Sequence, residues 1–225
     1  MILKPKLSIL SFLLLLVFVF FSCHSSDKNK NSGEKDNVKV VSPQIKNSNY
    51  LEEQLLSDFI RQVKPCAINT DVLPKPFSGL QFNKVIAYYF DGDEERNPRI
   101  IDAKTKSFCP VVIKQKELSE SQIKKLITFI SESKTYGEGT AACFMPHLAF
   151  VFYQDAQDVF EMDICLDCNY LIASAEIPAT KAKKMKVENG LEIELNGFSK
   201  PGKEKIRQLN QELGFEYGKK SKTTN

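Results

Sequence analysis

The amino-acid sequence predicts an α+β fold in which an antiparallel sheet, built from hairpins, is covered by two or three helices. Three segments carry apolar side chains at helical spacing, and they begin near residues 51, 118 and 199. Between them lie short runs rich in β-branched and aromatic residues, several of which are separated by turn sequences. Residues 49–217 are therefore expected to form a single α+β domain, which is an ordinary length for one domain.

Each helix is predicted from a stripe of apolar residues that recurs every three or four positions. The first helix spans 51–63 and is followed by proline. The second spans 118–131, where Ser119 and Gln122 form a capping-box pattern at its start. The third spans 199–213, with serine at its first position and glycine directly after its last.

The strands are predicted from short runs of β-branched and aromatic residues. A strand is expected over 84–90, and two more over 148–153 and 159–164, which a polar turn joins into a hairpin. A further strand is expected over 170–173, and Asn189-Gly190 marks the turn of a second hairpin. Two shorter strand candidates lie at 100–101 and 111–113.

The first 23 residues have the organisation of a bacterial lipoprotein signal. Lys4 and Lys6 precede an apolar run over 7–21, and this run ends at Ser22-Cys23. The run is shorter than the ~20 residues that span a bilayer as a helix. The residues before Cys23 also lack the pattern of small residues that marks an ordinary secretory cleavage site. Acylation of Cys23 after removal of 1–22 is therefore the prediction, with an uncleaved anchor and ordinary secretion as the alternatives.

A polar tether is predicted directly after the signal. Residues 23–48 are rich in Ser, Asn, Lys and Asp, and such a segment buries too little apolar surface to offset its chain entropy. The same reasoning predicts a disordered basic tail over 218–225. His24 follows Cys23 where aspartate would signal retention at the inner membrane, so the bacterial outer membrane is the location expected by analogy. The expected partners are that membrane, through the acyl chains, and an unidentified envelope protein or ligand.

The charge balance gives no reason to expect binding to nucleic acid. The chain has 31 Lys and Arg residues against 28 Asp and Glu residues, and the signal removes two of the basic ones. A nearly neutral mature chain lacks the basic surface with which proteins bind phosphate backbones. The sequence also contains no phosphate-binding loop, dinucleotide fingerprint or serine-nucleophile motif. No catalytic residue and no organic cofactor are therefore predicted.

Five cysteines remain after Cys23, an odd number for an exported chain. Three of them lie near the only histidine of the predicted domain, as Cys143-x3-His147 followed by Cys165-x2-Cys168. If 148–153 pairs with 159–164, these four residues lie near one end of the hairpin. Pairing Phe150 with Phe160 would place Cys143 opposite position 167, and a slip of one residue would place it opposite Cys168. Residues directly opposite are ~4.5–5.5 Å apart, which is within reach of a disulfide or a shared metal ion.

Three interpretations of this cluster remain open. The first is a structural disulfide from Cys143 to Cys165 or Cys168, the usual fate of exported cysteines, with Cys66 bonded to Cys109. The second is a zinc site of three cysteines and His147, again with Cys66 paired to Cys109. The third is a redox-active pair, Cys165 and Cys168, although such motifs usually begin a helix and this one lies between strands.

The segments that contain the cluster resemble a group of uncharacterised bacterial envelope lipoproteins. The resemblance rests on a CF-x-P-x-x-A…FY strand at 143–153, followed by I-C-x-x-C at 164–168. It extends over about Glu117 to Phe215. It implies a joint role for Cys143, Cys165 and Cys168, and it implies no activity.

The expected function is therefore that of a lipid-anchored envelope protein with a non-enzymatic binding or scaffolding domain. The alternatives are an extracytoplasmic thiol–disulfide protein that uses Cys165 and Cys168, and a zinc-binding module. Each depends on a different state of the same sulfur atoms, so the structure of this cluster is the feature that best separates them.

Overall fold

The structure is a computed structural model that describes residues 50–109 and 111–217. It contains a five-stranded antiparallel sheet, which confirms the predicted α+β class. The order of the strands is β2-β1-β4-β5-β6, and two small two-stranded sheets pair β3 with β9 and β7 with β8. The helices are α1 (Glu53–Gln62), α2 (Glu120–Ile130) and α3 (Lys200–Glu212). The strands are β1 (Lys84–Phe90), β2 (Val112–Glu117), β3 (Tyr136–Glu138), β4 (Leu148–Gln154), β5 (Gln157–Cys165), β6 (Tyr170–Ala173), β7 (Lys184–Lys186), β8 (Glu192–Glu194) and β9 (Gly197–Phe198). The predicted signal, the predicted acylation of Cys23, the predicted tether and the predicted tail fall outside the described residues.

The two faces of the large sheet are covered by different parts of the chain. One face packs against α2 and α3, which contribute Ile127 and Leu209 among other apolar residues. The opposite face packs against α1 and the loop 91–109, through residues that include Leu56 and Ile100. Because both faces are covered, the central strand β4 is buried on both sides, and its near-continuous apolar sequence is explained.

The predicted ends of the second and third helices are confirmed. Ser119 Oγ accepts the N–H of Gln122, and the Gln122 side chain accepts the N–H of Ser119, so the capping box is complete. Ser199 caps α3 by accepting the N–H of Gly202. Gly214, directly after the predicted helix, has a φ of +74°, a conformation that glycine adopts without a steric penalty.

The pairing of Phe150 with Phe160 is wrong by two residues, and the register slipped by one residue is found only next to the turn, at Tyr153–Asp158 and Gln154–Gln157. Phe152, rather than Phe150, lies opposite Phe160, and Leu148 lies opposite Ile164. The hairpin closes with a turn at Asp155-Ala156, and a β-bulge beyond Phe152 then shifts the pairing by one further residue. Because β4 is apolar at nearly every position, its sequence has no alternation from which the bulge could be predicted.

Three short strand features differ from the prediction. The strand candidate at 100–101 makes only a single bridge, between Ile101 and Phe108, while the candidate at 111–113 is extended to Glu117 as β2. The pairing of β3 with β9 was not predicted, since strands of three and two residues are too short to show a period. Among the described residues, none of the helices combines the length and the apolar composition that spanning a bilayer requires.

Candidate functional site

The five cysteines of the folded region lie in three different places. Cys66 packs against the apolar cluster that contains α2 and α3, whereas Cys109 lies in the cluster on the opposite face of the sheet. Both thiols are free. The predicted disulfide between Cys66 and Cys109 is therefore not formed, because the sheet separates the two residues.

The other three cysteines meet at one end of the sheet. Cys165 is the last residue of β5, and Cys168 lies in the turn that leads into β6. Cys143 lies in an irregular segment, 139–147, that leads into β4. This segment is held against the turn by a hydrogen bond of 2.8 Å from the Ala141 N–H to the Cys168 carbonyl.

The three sulfur atoms form a bonded pair with a free thiol beside it. Cys165 and Cys168 are joined by a disulfide, with 5.3 Å between their Cα atoms. Cys143 is unbonded, and its Sγ lies 3.7 Å from the Cys168 Sγ, towards which it donates its proton. A disulfide within this cluster was predicted, and the structure places it inside the Cys-x-x-Cys turn instead of joining Cys143 to either partner.

Two backbone N–H groups point at the bonded sulfurs. The Cys168 N–H donates to Cys165 Sγ at 2.9 Å, and the Met145 N–H donates to Cys168 Sγ at 3.4 Å. Hydrogen bonds of this kind strengthen when the acceptor carries negative charge. Each sulfur of the pair therefore has a donor in place for a thiolate, should the disulfide open.

Burial distinguishes Cys143 from the pair. Cys165 and Cys168 are both 0% exposed, and the nearly buried ring of Phe144, packed on Tyr170 at 4.8 Å between centroids, belongs to the same small cluster. Cys143 is only partly buried. Of the three cysteines, Cys143 is therefore the residue that a molecule in solution can contact directly.

His147 is engaged away from the sulfur atoms. Its Nδ1 lies 3.1 Å from the Phe90 carbonyl oxygen and 3.8 Å from the Asp91 carboxylate, and its ring packs edge-on against Tyr217. Within 50–109 and 111–217, no group of three His, Cys, Asp or Glu side chains is placed to hold a metal ion. The structure thus does not bring together the four zinc ligands predicted from the sequence, Cys143, His147, Cys165 and Cys168.

A cluster of buried charges lies on the same strand as Cys165, and sequence analysis missed it. Glu161 and Asp163 lie on the face of β5 that the loop 91–109 covers, and both form ion pairs with Arg99 from that loop. Asp163 is fully buried and also accepts the N–H of Ile100 at 2.9 Å. The sequence signal for this cluster was the pair of acidic residues at alternate positions in the otherwise apolar run 159–164, because alternate residues of a strand share one face.

Burial controls the ionisation of both carboxyl groups in this cluster. Loss of water and the neighbouring Glu161 carboxyl group together raise the pKa of Asp163 to about 7, against the opposing effects of the Ile100 N–H and Arg99. Burial likewise raises the pKa of Glu161. The pair of acids therefore costs free energy when it is ionised, and Arg99 offsets part of that cost.

The raised pKa of Asp163 predicts a particular dependence of stability on pH. Between the ordinary value of 3.8 and about 7, the folded state binds more protons than the unfolded state, so the free energy of unfolding should fall as pH rises through this window. Replacing Asp163 by asparagine removes the titrating group and should flatten the profile. Urea unfolding of both chains at several pH values between 4 and 7 measures the difference. Parallel profiles for the two chains would contradict the prediction.

Gly92 fixes the position of the segment that carries Cys143. A Cβ at Gly92 would collide with the carbonyl oxygen of Pro146, to which the Gly92 N–H donates at 3.1 Å. We expect Gly92→Ala to displace that segment and to lower the free energy of unfolding by about 1–3 kcal/mol, as overpacking does.

The matched control for this change is Gly139→Ala. Gly139 lies in the same segment, and a Cβ there would meet no atom within 4 Å. Thermal unfolding of the two variants should therefore separate them. Equal melting temperatures would show that the contact with Pro146 does not constrain the segment.

Comparison with known proteins does not extend this description. No family model matches the chain, and neither a curated protein nor a solved structure is significantly similar to it.

Proposed function

We propose that this domain is held at a bacterial envelope membrane by acyl chains on Cys23 and works there as a thiol–disulfide protein. The observation that carries this proposal is the disulfide between Cys165 and Cys168 with a free thiol, Cys143, 3.7 Å from one of its sulfurs. Exchange between a thiolate and a disulfide requires that geometry, since the attacking sulfur must approach one sulfur of the bond.

The surroundings of the pair support the same chemistry. The N–H groups of Cys168 and Met145 are placed to stabilise the thiolates that exchange produces. These donors replace the helix start that lowers the energy of the thiolate in many Cys-x-x-Cys proteins. Judged from the sequence alone, the lack of a helix after Cys165 is evidence against a redox-active pair. Backbone donors from a turn and from a neighbouring segment compensate for that lack.

The experiment that tests the proposal is a redox titration of the full-length chain. The chain is equilibrated in defined thiol–disulfide buffers and quenched, and the fraction of bonded Cys165–Cys168 is measured by alkylation and mass spectrometry. Exchange-active pairs have potentials of about −120 to −270 mV, whereas structural disulfides lie below about −300 mV. A potential in the first range is the expected result, and one in the second would overturn the proposal.

A control variant separates this pair from the other thiols of the domain. Cys66 is partly buried in a different cluster, where its sulfur donates to the Asn83 carbonyl. Burial raises the pKa of the Cys66 thiol and so reduces its reactivity near neutral pH. Cys66→Ser should therefore leave the measured potential unchanged.

A non-enzymatic binding or scaffolding domain is the second candidate. Complete burial of Cys165 and Cys168 is the observation that favours it, because inert disulfides are usually buried in this way. In that case the bond only closes the turn between β5 and β6, and the domain acts through an unidentified envelope partner. The low potential described above is the outcome expected for this candidate.

A further inference from the structure

We propose that Cys143 is the residue that exchanges with partners, and that Cys168 transfers the disulfide between Cys143 and Cys165. This inference rests on the proposed function and deepens it, because it assigns a separate role to each sulfur. The partner is a molecule that carries two thiols, or one disulfide, able to approach the exposed side of Cys143.

The three cysteines differ in their access to solvent. A partner thiolate must contact a sulfur of the disulfide in order to attack it, and neither Cys165 nor Cys168 presents any surface. Cys143 is partly exposed, and the neighbouring Met145 is 42% exposed. The disulfide must therefore be transferred to Cys143 before a partner thiolate can attack it.

The distances indicate which sulfur Cys143 attacks. Its Sγ lies 3.7 Å from the Cys168 Sγ, close to van der Waals contact. Attack there would expel Cys165 as the leaving thiolate, and the Cys168 N–H already donates to that sulfur at 2.9 Å. A stabilised leaving group speeds exchange, so the observed donors favour this direction of transfer.

The internal step conserves atoms and electrons. The Cys143 thiolate forms a bond to Cys168 Sγ, the Cys168–Cys165 bond breaks, and Cys165 leaves as a thiolate that takes up the proton released by Cys143. One disulfide and one thiol are present before and after the step, so no oxidant is consumed. The product is a disulfide between Cys168, which is buried, and Cys143, which is a partly exposed residue.

The step with a partner also balances. One thiolate of a partner dithiol attacks Cys143 Sγ, forms a mixed disulfide and releases Cys168 as a thiolate. The second partner thiolate then attacks the partner's own sulfur in this bond and releases Cys143. The partner leaves oxidised to a disulfide, and Cys143, Cys165 and Cys168 remain as three thiols. The same steps in reverse reduce a partner disulfide.

Trapping the transferred bond tests the internal step without any partner. In Cys165→Ser, Cys143 and Cys168 are expected to form a disulfide under mild oxidation, seen as a loss of two hydrogens and a crosslinked peptide. In the matched variant Cys168→Ser, bond formation between Cys143 and Cys165 should be at least tenfold slower. Equal rates in the two variants would overturn the assignment of Cys168 as the transferring sulfur.

A measurement on the unaltered chain tests the same step even if a variant that replaces a buried cysteine fails to fold. The chain is equilibrated in glutathione buffer and quenched with acid, and its disulfides are mapped by peptide mass. The Cys143–Cys168 bond is expected as a minor species beside Cys165–Cys168. Its complete absence, with both cysteines recovered, would also overturn the transfer step.

Reaction with a synthetic peptide dithiol separates this inference from the proposed function. Cys143→Ser is expected to oxidise the peptide at least tenfold more slowly than the unaltered chain, while Cys66→Ser keeps the full rate. Equal rates for the unaltered chain and Cys143→Ser would overturn the role of Cys143 and leave thiol–disulfide activity standing. An unreactive chain that still forms the Cys143–Cys168 bond would overturn the proposed function itself.

Discussion

Replacing Arg99 by alanine is expected to lower the free energy of unfolding by about 3–5 kcal/mol at pH 8, because it leaves two buried carboxylates without a cation. Arg99 bridges Glu161 and Asp163, and its Nε lies 3.4 Å from the Asp163 carboxylate. Its own side chain is 23% exposed, so the lower half of the range is the more realistic expectation.

The size of this effect should itself depend on pH. Since burial raises the pKa of both Glu161 and Asp163, the orphaned acids can take up protons at pH 5 and so escape most of the penalty. Urea unfolding of the full-length chain at pH 8 and pH 5 therefore provides two values for one substitution. A loss of stability that is the same at both pH values would contradict an electrostatic origin.

Arg96→Ala is the matched control for the loss of positive charge. Arg96 comes from the same loop, but its side chain is 82% exposed and pairs only with Asp93, three residues earlier. Exposed ion pairs of this kind contribute ~0.2–1 kcal/mol. We expect a change within that range for Arg96→Ala at both pH values.

Replacing Phe152 by alanine is expected to destabilise the fold by about 3–5 kcal/mol, because a large ring is lost from the central strand. Phe152 is 0% exposed and contacts three other aromatic rings, with centroid distances of 5.3 Å to Phe77, 5.0 Å to Phe82 and 5.4 Å to Phe160. These neighbours belong to strands and loops that cannot all move inward, so a cavity should remain.

The comparison for this change is Leu191→Ala. Leu191 is also a large apolar residue, but it is 60% exposed in the turn of the β7–β8 hairpin. Its removal should alter the free energy of unfolding by less than about 0.5 kcal/mol. If Phe152→Ala cost no more than Leu191→Ala in the same urea titration, the aromatic cluster would not be the source of stability that its burial indicates.

Local sequence signals predicted the helices and most strands, and they failed where distant parts of the chain meet. The capping box at Ser119 and the turn at Asn189-Gly190 are properties of neighbouring residues, so the sequence contains the whole of each signal. The ion pairs of Arg99 depend on residues more than sixty positions away, and no local pattern encodes them. The same reasoning applies to the pairing of β3 with β9.

The sulfur cluster was predicted only in part for a related reason. The spacing of Cys143, Cys165 and Cys168 placed all three at one end of a hairpin, and the structure confirms that they meet there. Which two are bonded depends on ångström-scale positions that the β-bulge and the turn after β5 determine. Sequence spacing allowed each pairing, so it could not choose between them.

The order of strands in the large sheet has a consequence for how the chain acquires its fold. The central strand β4 pairs on one side with β5, its neighbour in sequence, and on the other with β1, about sixty residues earlier. Hairpins close in microseconds, whereas joining distant segments requires a large loss of chain entropy before any contact forms. We therefore expect the β4–β5 hairpin to act as an early nucleus onto which β1 and β2 dock later. During synthesis from the N-terminus, β1 can pair with β2, but the edge of β1 that faces β4 would stay unpaired until the β4–β5 hairpin had been made.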